Sequence, residues 1–152
     1  MNARDTSYLR FGTDGWRDII GDKFTIANVA RAAQGYAETL LDREANLVLV
    51  GYDTRFMGRD FAEMAASVIS ANGLTVKIST DFLPTPALSF AVRHYGADGA
   101  IMLTASHNPY RYQGFKLKGP YGGSATDETY QNVANRINSR IKVKRSAREN
   151  KT

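Results

Sequence analysis

Three features of the chain predict an α/β fold, arranged as a three-layer α/β/α sandwich around a mostly parallel mixed sheet. Leu47–Val50 and Gly99–Leu103 are short, continuous apolar runs, as expected of strands buried on both faces. Segments with apolar residues at helical spacing alternate with them. Loops rich in Gly, Pro, Asp and Asn punctuate the two kinds of segment.

The elements follow in order. Leu9 to Arg17 holds two glycines and an Asp, which break any helix, so strand and turn are expected. Thr25 can cap a helix carried by Ile26, Val29, Ala30, Ala33, Ala37, Leu40 and Leu41, running to about Asp42. The strand at 47–50 leads into the loop Gly51-Tyr52-Asp53-Thr54-Arg55. Asp60 with Glu63 has the form of a capping box ahead of Phe61, Met64, Ala65, Val68 and Ile69, and Gly73 ends that helix. Residues 74–79 alternate like a strand. Thr85 and Pro86 suit the cap and first turn of a helix ending at Gly96. Residues 99–103 and 114–118 read as strands, with the turn 119–123 after the second. Thr126 starts a last helix along Tyr130, Val133 and Ile137, reaching toward Ile141. One domain over 1–141 is therefore expected, with 142–152 a basic tail or the start of a linker.

Composition bounds the function. The chain has 152 residues, 43% of them hydrophobic and 23% charged, which suits a soluble globular domain. It has no cysteine, so disulfides, thiolate metal sites and cysteine nucleophiles are excluded. The polar start is followed by no apolar signal segment, and no apolar run approaches the roughly 18 residues of a membrane span. A cytoplasmic protein without membrane contact is expected. The net charge of +5 comes from the tail, where six basic residues face one acid after Ser139. Residues 1–138 are neutral, with 14 cations and 14 anions, so a nucleic-acid partner is not expected.

In sheets of this kind ligands bind beyond the carboxyl ends of the strands. That rule selects the loop after Val50, with Asp53, Thr54 and Arg55, and the loop after Leu103, with Thr104-Ala105-Ser106-His107-Asn108-Pro109. If the two strands are parallel neighbours, both loops open on one edge. Ser106 fits two readings, a turn serine or a presented hydroxyl. It does not fit a hydrolase elbow, because Thr104 and Asn108 stand where glycines are needed. His107 suits either a ligand contact or a surface loop position, and His94 lies near a helix end. Arg17, Arg55, Lys116 and Lys118 lie in or beside glycine-containing loops and favour phosphate. No Walker loop and no Gly-x-Gly-x-x-Gly occurs.

Taken together the motifs resemble one family. Thr104 to Pro109, followed by Gly114-Phe115-Lys116, resembles the active-serine motif of the α-D-phosphohexomutases, the phosphoglucomutase/phosphomannomutase family. Phe11-Gly12-Thr13-Asp14-Gly15-Trp16-Arg17 resembles the family's first motif, and Gly51 to Arg55 its Gly-x-Asp-x-Arg loop. The likeness runs from about Leu9 to Ile137, in family order.

The resemblance implies that Ser106 carries a phosphoryl group, which it gives to a hexose monophosphate and recovers from the bisphosphate formed. It implies catalytic roles for Arg17 and Lys116 and substrate contacts for His107, Asn108 and Arg55. It also implies a magnesium ion that the phosphoserine would help to ligate, and a hexose 1,6-bisphosphate activator. The family's Asp-Gly-Asp-x-Asp-Arg metal loop and its sugar- and phosphate-binding loops have no counterpart here. The expectation is thus domain I of a four-domain mutase, working with the remaining domains and lacking full activity alone. The alternative is a non-catalytic phosphosugar-binding or interaction module derived from such an enzyme. Trp16 inclines the resemblance toward the glucose or mannose type rather than a glucosamine-phosphate mutase.

Overall fold

The computed structural model describes residues 8–12, 14–139 and 141–145. Five strands and four helices follow in the order β1 (Trp16–Ile19), α1 (Ile26–Leu41), β2 (Leu47–Tyr52), α2 (Gly58–Ala71), β3 (Thr75–Ile78), α3 (Thr85–Tyr95), β4 (Gly99–Leu103), β5 (Tyr112–Lys118) and α4 (Asp127–Asn138). The sheet order is β1-β5-β4-β2-β3. β2 pairs parallel with both β3 and β4, and β5 pairs antiparallel with both β4 and β1. β5 alone is therefore reversed, and the sheet is mixed with four strands running one way.

Side-chain alternation builds the layers. Val48, Val50, Ile101, Leu103, Phe115 and Leu117 join the core beneath α1, α2 and α4. Leu49, Ala100 and Met102 face the other way, onto Leu88 and Val92 of α3. The expected α/β/α sandwich is present, with three helices on one face and one on the other. The three-helix face has the larger aromatic content. Trp16 stacks on Phe24 with ring centroids 4.4 Å apart, and Phe24 meets Phe61 edge-on at 4.9 Å. Each such ring buries enough area for roughly 2–3 kcal/mol of transfer free energy, which makes this cluster the main anchor of β1.

Helix ends show where local chemistry decided and where tertiary contact overruled it. Thr25 caps α1 by accepting from the Asn28 amide at 3.2 Å, and Thr126 caps α4 by accepting from the Thr129 amide at 3.3 Å. Asp60 does not cap α2. That helix starts two residues earlier, after Met57 in the left-handed region at φ 59°, and Asp60 lies in its first turn. The early start is set by packing: Gly58 sits under the Asp53 carbonyl oxygen, 2.8 Å from where a Cβ would be. Thr85 is likewise the first residue of α3 rather than its cap, and Pro84 holds the cap position. Gly96 ends α3 in the left-handed region as expected.

Strand limits also shift: β2 runs on through Gly51 and Tyr52, expected in the loop that follows, and β3 is confined to Thr75–Ile78. The first strand begins only at Trp16, and β5 begins at Tyr112, two residues before the expected start. α4 stops at Asn138, short of Ile141. Beyond it the chain folds back. Val143 packs against the main core, and the Lys144 amide donates to Gln34 Oε1 at 3.0 Å. The first residues of the expected tail therefore lie against α1. Arg140, Arg148 and Lys151, which carry much of the tail's expected charge, lie outside the described residues. Among the described residues no helix is long and apolar enough to cross a membrane.

Gly114 marks the closest backbone approach between β4's end and β5. A Cβ there would collide with the Thr104 carbonyl oxygen, which is main chain and cannot swing away. Gly114→Ala is expected to destabilise the fold by about 1–3 kcal/mol, the usual cost of overpacking, read as a lowered urea midpoint with an unchanged slope. An unchanged midpoint would show that the two strands can part at no cost.

Candidate functional site

The parallel pairing of β2 with β4 puts Tyr52 opposite Leu103. The Asp53 amide then donates to the Leu103 carbonyl at 3.1 Å, so both chains leave the sheet at one level. The loops containing Arg55 and Ser106 do open on the same edge. Together, Asp53, Thr54, Arg55, Phe56, Ser106, Asn108 and Tyr110 line a shallow depression.

Ser106 lies just beyond the buried run that ends at Ala105, and is itself exposed. Its backbone is left-handed at φ 55°, uncommon for a residue with a Cβ. Its amide donates to Thr104 Oγ1 at 3.1 Å. Thr104 is buried and anchored in turn, its amide donating to the Gly114 carbonyl at 3.0 Å. A hydroxyl at this point is displayed to solvent by a fixed backbone. His107 Nδ1 stands 3.4 Å from Ser106 Oγ, a long contact between two exposed side chains. No hydrogen bond to another described residue orients that ring, so the pair lacks the geometry of a nucleophile and its base.

The cations gather through β1 and β5. Arg17 stands opposite Gly114 in the β1–β5 ladder, and Lys116 follows on the same face. α3 packs over β2 and β4, so this part of the face carries charge instead of apolar side chains. Arg17 Nη1 donates to Asn108 Oδ1 at 3.2 Å, tying the first motif to the serine loop across 91 residues of sequence. Asp14 Oδ2 accepts from Arg17 Nη2 at 2.6 Å and from Lys116 Nζ at 2.9 Å. Burial works against ionisation of Asp14, but Lys116 and Arg17 outweigh it and hold the carboxyl below its ordinary range. Lys118 continues the row, and its ammonium is pushed down in pKa by burial and by the neighbouring Lys116 charge.

Arg55 does not reach into open solvent. Its guanidinium turns onto the serine loop, where Nη2 donates to the Ser106 and Asn108 carbonyls and Nη1 to those of Pro109 and Tyr112. Nε lies 3.5 Å from Asp53 Oδ2. All four of its Nη–H donors are thus engaged by loop carbonyls. Ser106, Asn108, Arg17, Lys116 and Arg55 are thus linked in one network, while His107 stands at its rim.

Asp14 and Thr104 take part without having been singled out by the sequence. Asp14 could have been found as the acid three residues from Arg17 within the same motif. Thr104 had only its position two residues before Ser106.

A magnesium site does not fit the described residues alone. No group of three or more His, Asp or Glu side chains among them could hold a metal ion. Ser106 could contribute only through the oxygens of a phosphoryl group that it carried.

The Asp14 bridge gives a pH test. Its folded pKa is depressed from the ordinary 3.8, so the unfolded chain binds the proton first as pH falls. The stabilisation is present above that value and is lost as pH drops through the lower folded one. The stability gap between the native chain and Asp14→Asn should be constant near neutrality and close below about pH 4, measured by urea unfolding across pH. A gap that persisted into acid would rule out the charged bridge.

Comparison with known proteins agrees with this layout. Residues 9–144 match the family described as phosphoglucomutase/phosphomannomutase, alpha/beta/alpha domain I. The phosphoglucomutase of Staphylococcus saprophyticus is 38% identical over 145 residues, covering 91% of this chain and 26% of that protein. That of Staphylococcus aureus strain USA300 is 35% identical over 130 residues, covering 80% of this chain and 23% of the relative. The chain thus spans about a quarter of the length of these relatives. A candidate phosphomannomutase from Thermus thermophilus superposes with a TM-score of 0.83 at 43% identity, over 85% of this chain and 30% of that one. The Paramecium phosphoglucomutase parafusin shares the fold with a TM-score of 0.80 at 24% identity, over 93% of this chain and 27% of its own. The ordered motifs, the sheet that brings them to one edge and these matches lead to one conclusion: the chain belongs to the phosphoglucomutase/phosphomannomutase family and corresponds to its α/β/α domain I.

Proposed function

We propose that this chain is the phosphoryl-carrying domain of a phosphohexomutase that interconverts hexose 1-phosphates and hexose 6-phosphates of the glucose or mannose type. The observation that carries the reading is the exposed, left-handed Ser106 at the end of β4, tied through Asn108 to Arg17 and, by way of Asp14, to Lys116.

In this mechanism a phosphoryl group rests on Ser106 Oγ. A sugar hydroxyl of the monophosphate attacks phosphorus, its oxygen–phosphorus bond forms, and the bond to Oγ breaks. The proton lost by the sugar hydroxyl ends on Oγ, which is left as a hydroxyl. The bisphosphate then presents its other phosphoryl group to Oγ, the reverse transfer reloads the serine, and the isomeric monophosphate departs. Little covalent work falls to the protein in such transfers; positioning and charge stabilisation do most of it. Arg17 and Lys116 supply that charge, and the Lys116 ammonium can give Oγ its proton as the bond breaks and regain one from the sugar hydroxyl. Asn108 orients Arg17, and His107 at the rim contacts the sugar phosphate. Magnesium, when bound, would neutralise phosphate charge, with its other ligands coming from beyond these residues, as would the clamp that presents the sugar. Hexose 1,6-bisphosphate would load an empty serine, and full turnover requires the remaining mutase domains.

The test is phosphoryl loading followed by intact mass spectrometry. Purified protein incubated with glucose 1,6-bisphosphate and magnesium should gain one phosphoryl group that maps to Ser106. Ser106→Ala should gain none, and Lys116→Ala should load about 100-fold more slowly, the usual cost of removing one charge-stabilising donor. Binding of the bisphosphate without any phosphoserine would favour the non-catalytic phosphosugar-binding alternative.

A further inference from the structure

We propose that Arg55 is a positioning residue that sets the conformation of the phosphoryl-bearing loop, and not a ligand for substrate phosphate. The proposal rests on the reading of Ser106 as the phosphoryl carrier and deepens it.

A guanidinium has five N–H donors in a rigid plane and accepts nothing. Arg55 directs its four Nη donors at loop carbonyls, and its Nε lies beside a carboxylate. Nη2 donates to the Ser106 carbonyl at 2.8 Å and the Asn108 carbonyl at 2.7 Å. Nη1 donates to the carbonyls of Pro109 and Tyr112, each at 3.0 Å. Nε faces Asp53 Oδ2 at 3.5 Å. A phosphate oxygen could be bound by the Nη fork only by releasing a loop carbonyl.

The four carbonyls span the crossing from β4 to β5. Of these, the loop's own turns satisfy one, Pro109, which accepts from the Tyr112 amide. A cation that collects four carbonyl oxygens at once decides which way those peptide units face. It turns their negative ends toward β2, leaving the opposite side of the loop free of them. That is the side a phosphoryl dianion can occupy with least repulsion.

Ser106 itself is gripped at both ends of its peptide frame. Its amide is held by Thr104 Oγ1 and its carbonyl by Arg55. A left-handed conformation is disfavoured at a residue with a Cβ and persists where the surroundings fix it. The anchor is itself well seated. The Arg55 amide donates to Asp53 Oδ1 at 3.0 Å, the Asp53 amide donates to Leu103, and the Arg55 side chain is only 14% exposed. The loop is thereby referenced to the sheet through β2. Lysine cannot substitute, since one ammonium lacks the planar fork that reaches two pairs of carbonyls.

The experiment compares the native chain with Arg55→Ala and Arg55→Lys. Backbone amide exchange at Asn108 and Tyr112 should accelerate roughly tenfold or more in both variants, while Val50 and Met102 in β2 and β4 keep their protection. Millimolar guanidinium should restore protection to the alanine variant. In the bisphosphate-loading assay the maximal rate should fall at least about tenfold with the half-saturating concentration unchanged. Unchanged loop exchange, acceleration that guanidinium does not reverse, or a raised half-saturating concentration at full maximal rate would each overturn the proposal. Exchange and its rescue need no phosphoryl transfer, so they separate failure of this proposal from failure of the mutase reading. If Arg55→Ala does not fold, exchange in Arg55→Lys carries the test with the same opposing outcomes.

Discussion

The arrangement around Ser106 depends on the parallel pairing of β2 with β4. Register places Tyr52 beside Leu103, and the next amide, Asp53, bonds the Leu103 carbonyl. Paired strands lie about 4.8 Å apart. Two loops that leave the sheet at one level on adjacent strands are therefore within reach of an arginine side chain. A slip of one residue in this ladder would send Arg55 to the wrong level and turn the core residues of the strand that moved, Val48 and Val50 if it were β2, toward α3. The hydrophobic core and the serine loop are thus specified by the same register.

The reversal of β5 does the second part. An antiparallel β5 begins where β4 ends, so Gly114 and Lys116 come back beneath the serine loop instead of emerging at the far edge of the sheet. β5 then pairs with β1 and draws Asp14 and Arg17 to the same place. Without that hairpin the first motif would lie two strands away from Asn108. The small residue at Gly114 is the condition for it, since Thr104 main chain occupies the space of a side chain.

Much of the fold was readable because its signals are local. The apolar runs at 47–50 and 99–103, the helical stripes and the threonine caps at Thr25 and Thr126 concern residues within a few positions of one another. Asp60 shows the limit: a good capping box was passed over because Gly58 fits against Asp53, a contact no local pattern reports. The site divides the same way. Strand-end placement pointed to Arg55, Ser106, His107 and Asn108, and cations beside glycine-containing loops to Arg17 and Lys116. It could not tell what Arg55 would face, because a guanidinium suits phosphate and carbonyl oxygens alike. Asp14 was overlooked for a related reason. Its value lies in two cations 3 and 102 positions away, and only the folded sheet joins them.

Charge explains why so exposed an edge holds its shape while leaving room for a ligand. Arg17, Lys116 and Lys118 share one sheet face, and like charges so close would push apart without an anion between them. One carboxylate oxygen of Asp14 meets two of the three. Asp14 is a modest partner, carrying a single charge with 55% of its side chain exposed, and exposed ion pairs are worth little. A phosphoryl group brings close to two charges and three acceptor oxygens. It can satisfy the same donors while leaving Asp14 to solvent, at the small cost of one surface pair. Within the mutase reading, Asp14 therefore keeps the cations assembled while Ser106 carries no phosphoryl group, and its weakness is what allows phosphate to displace it.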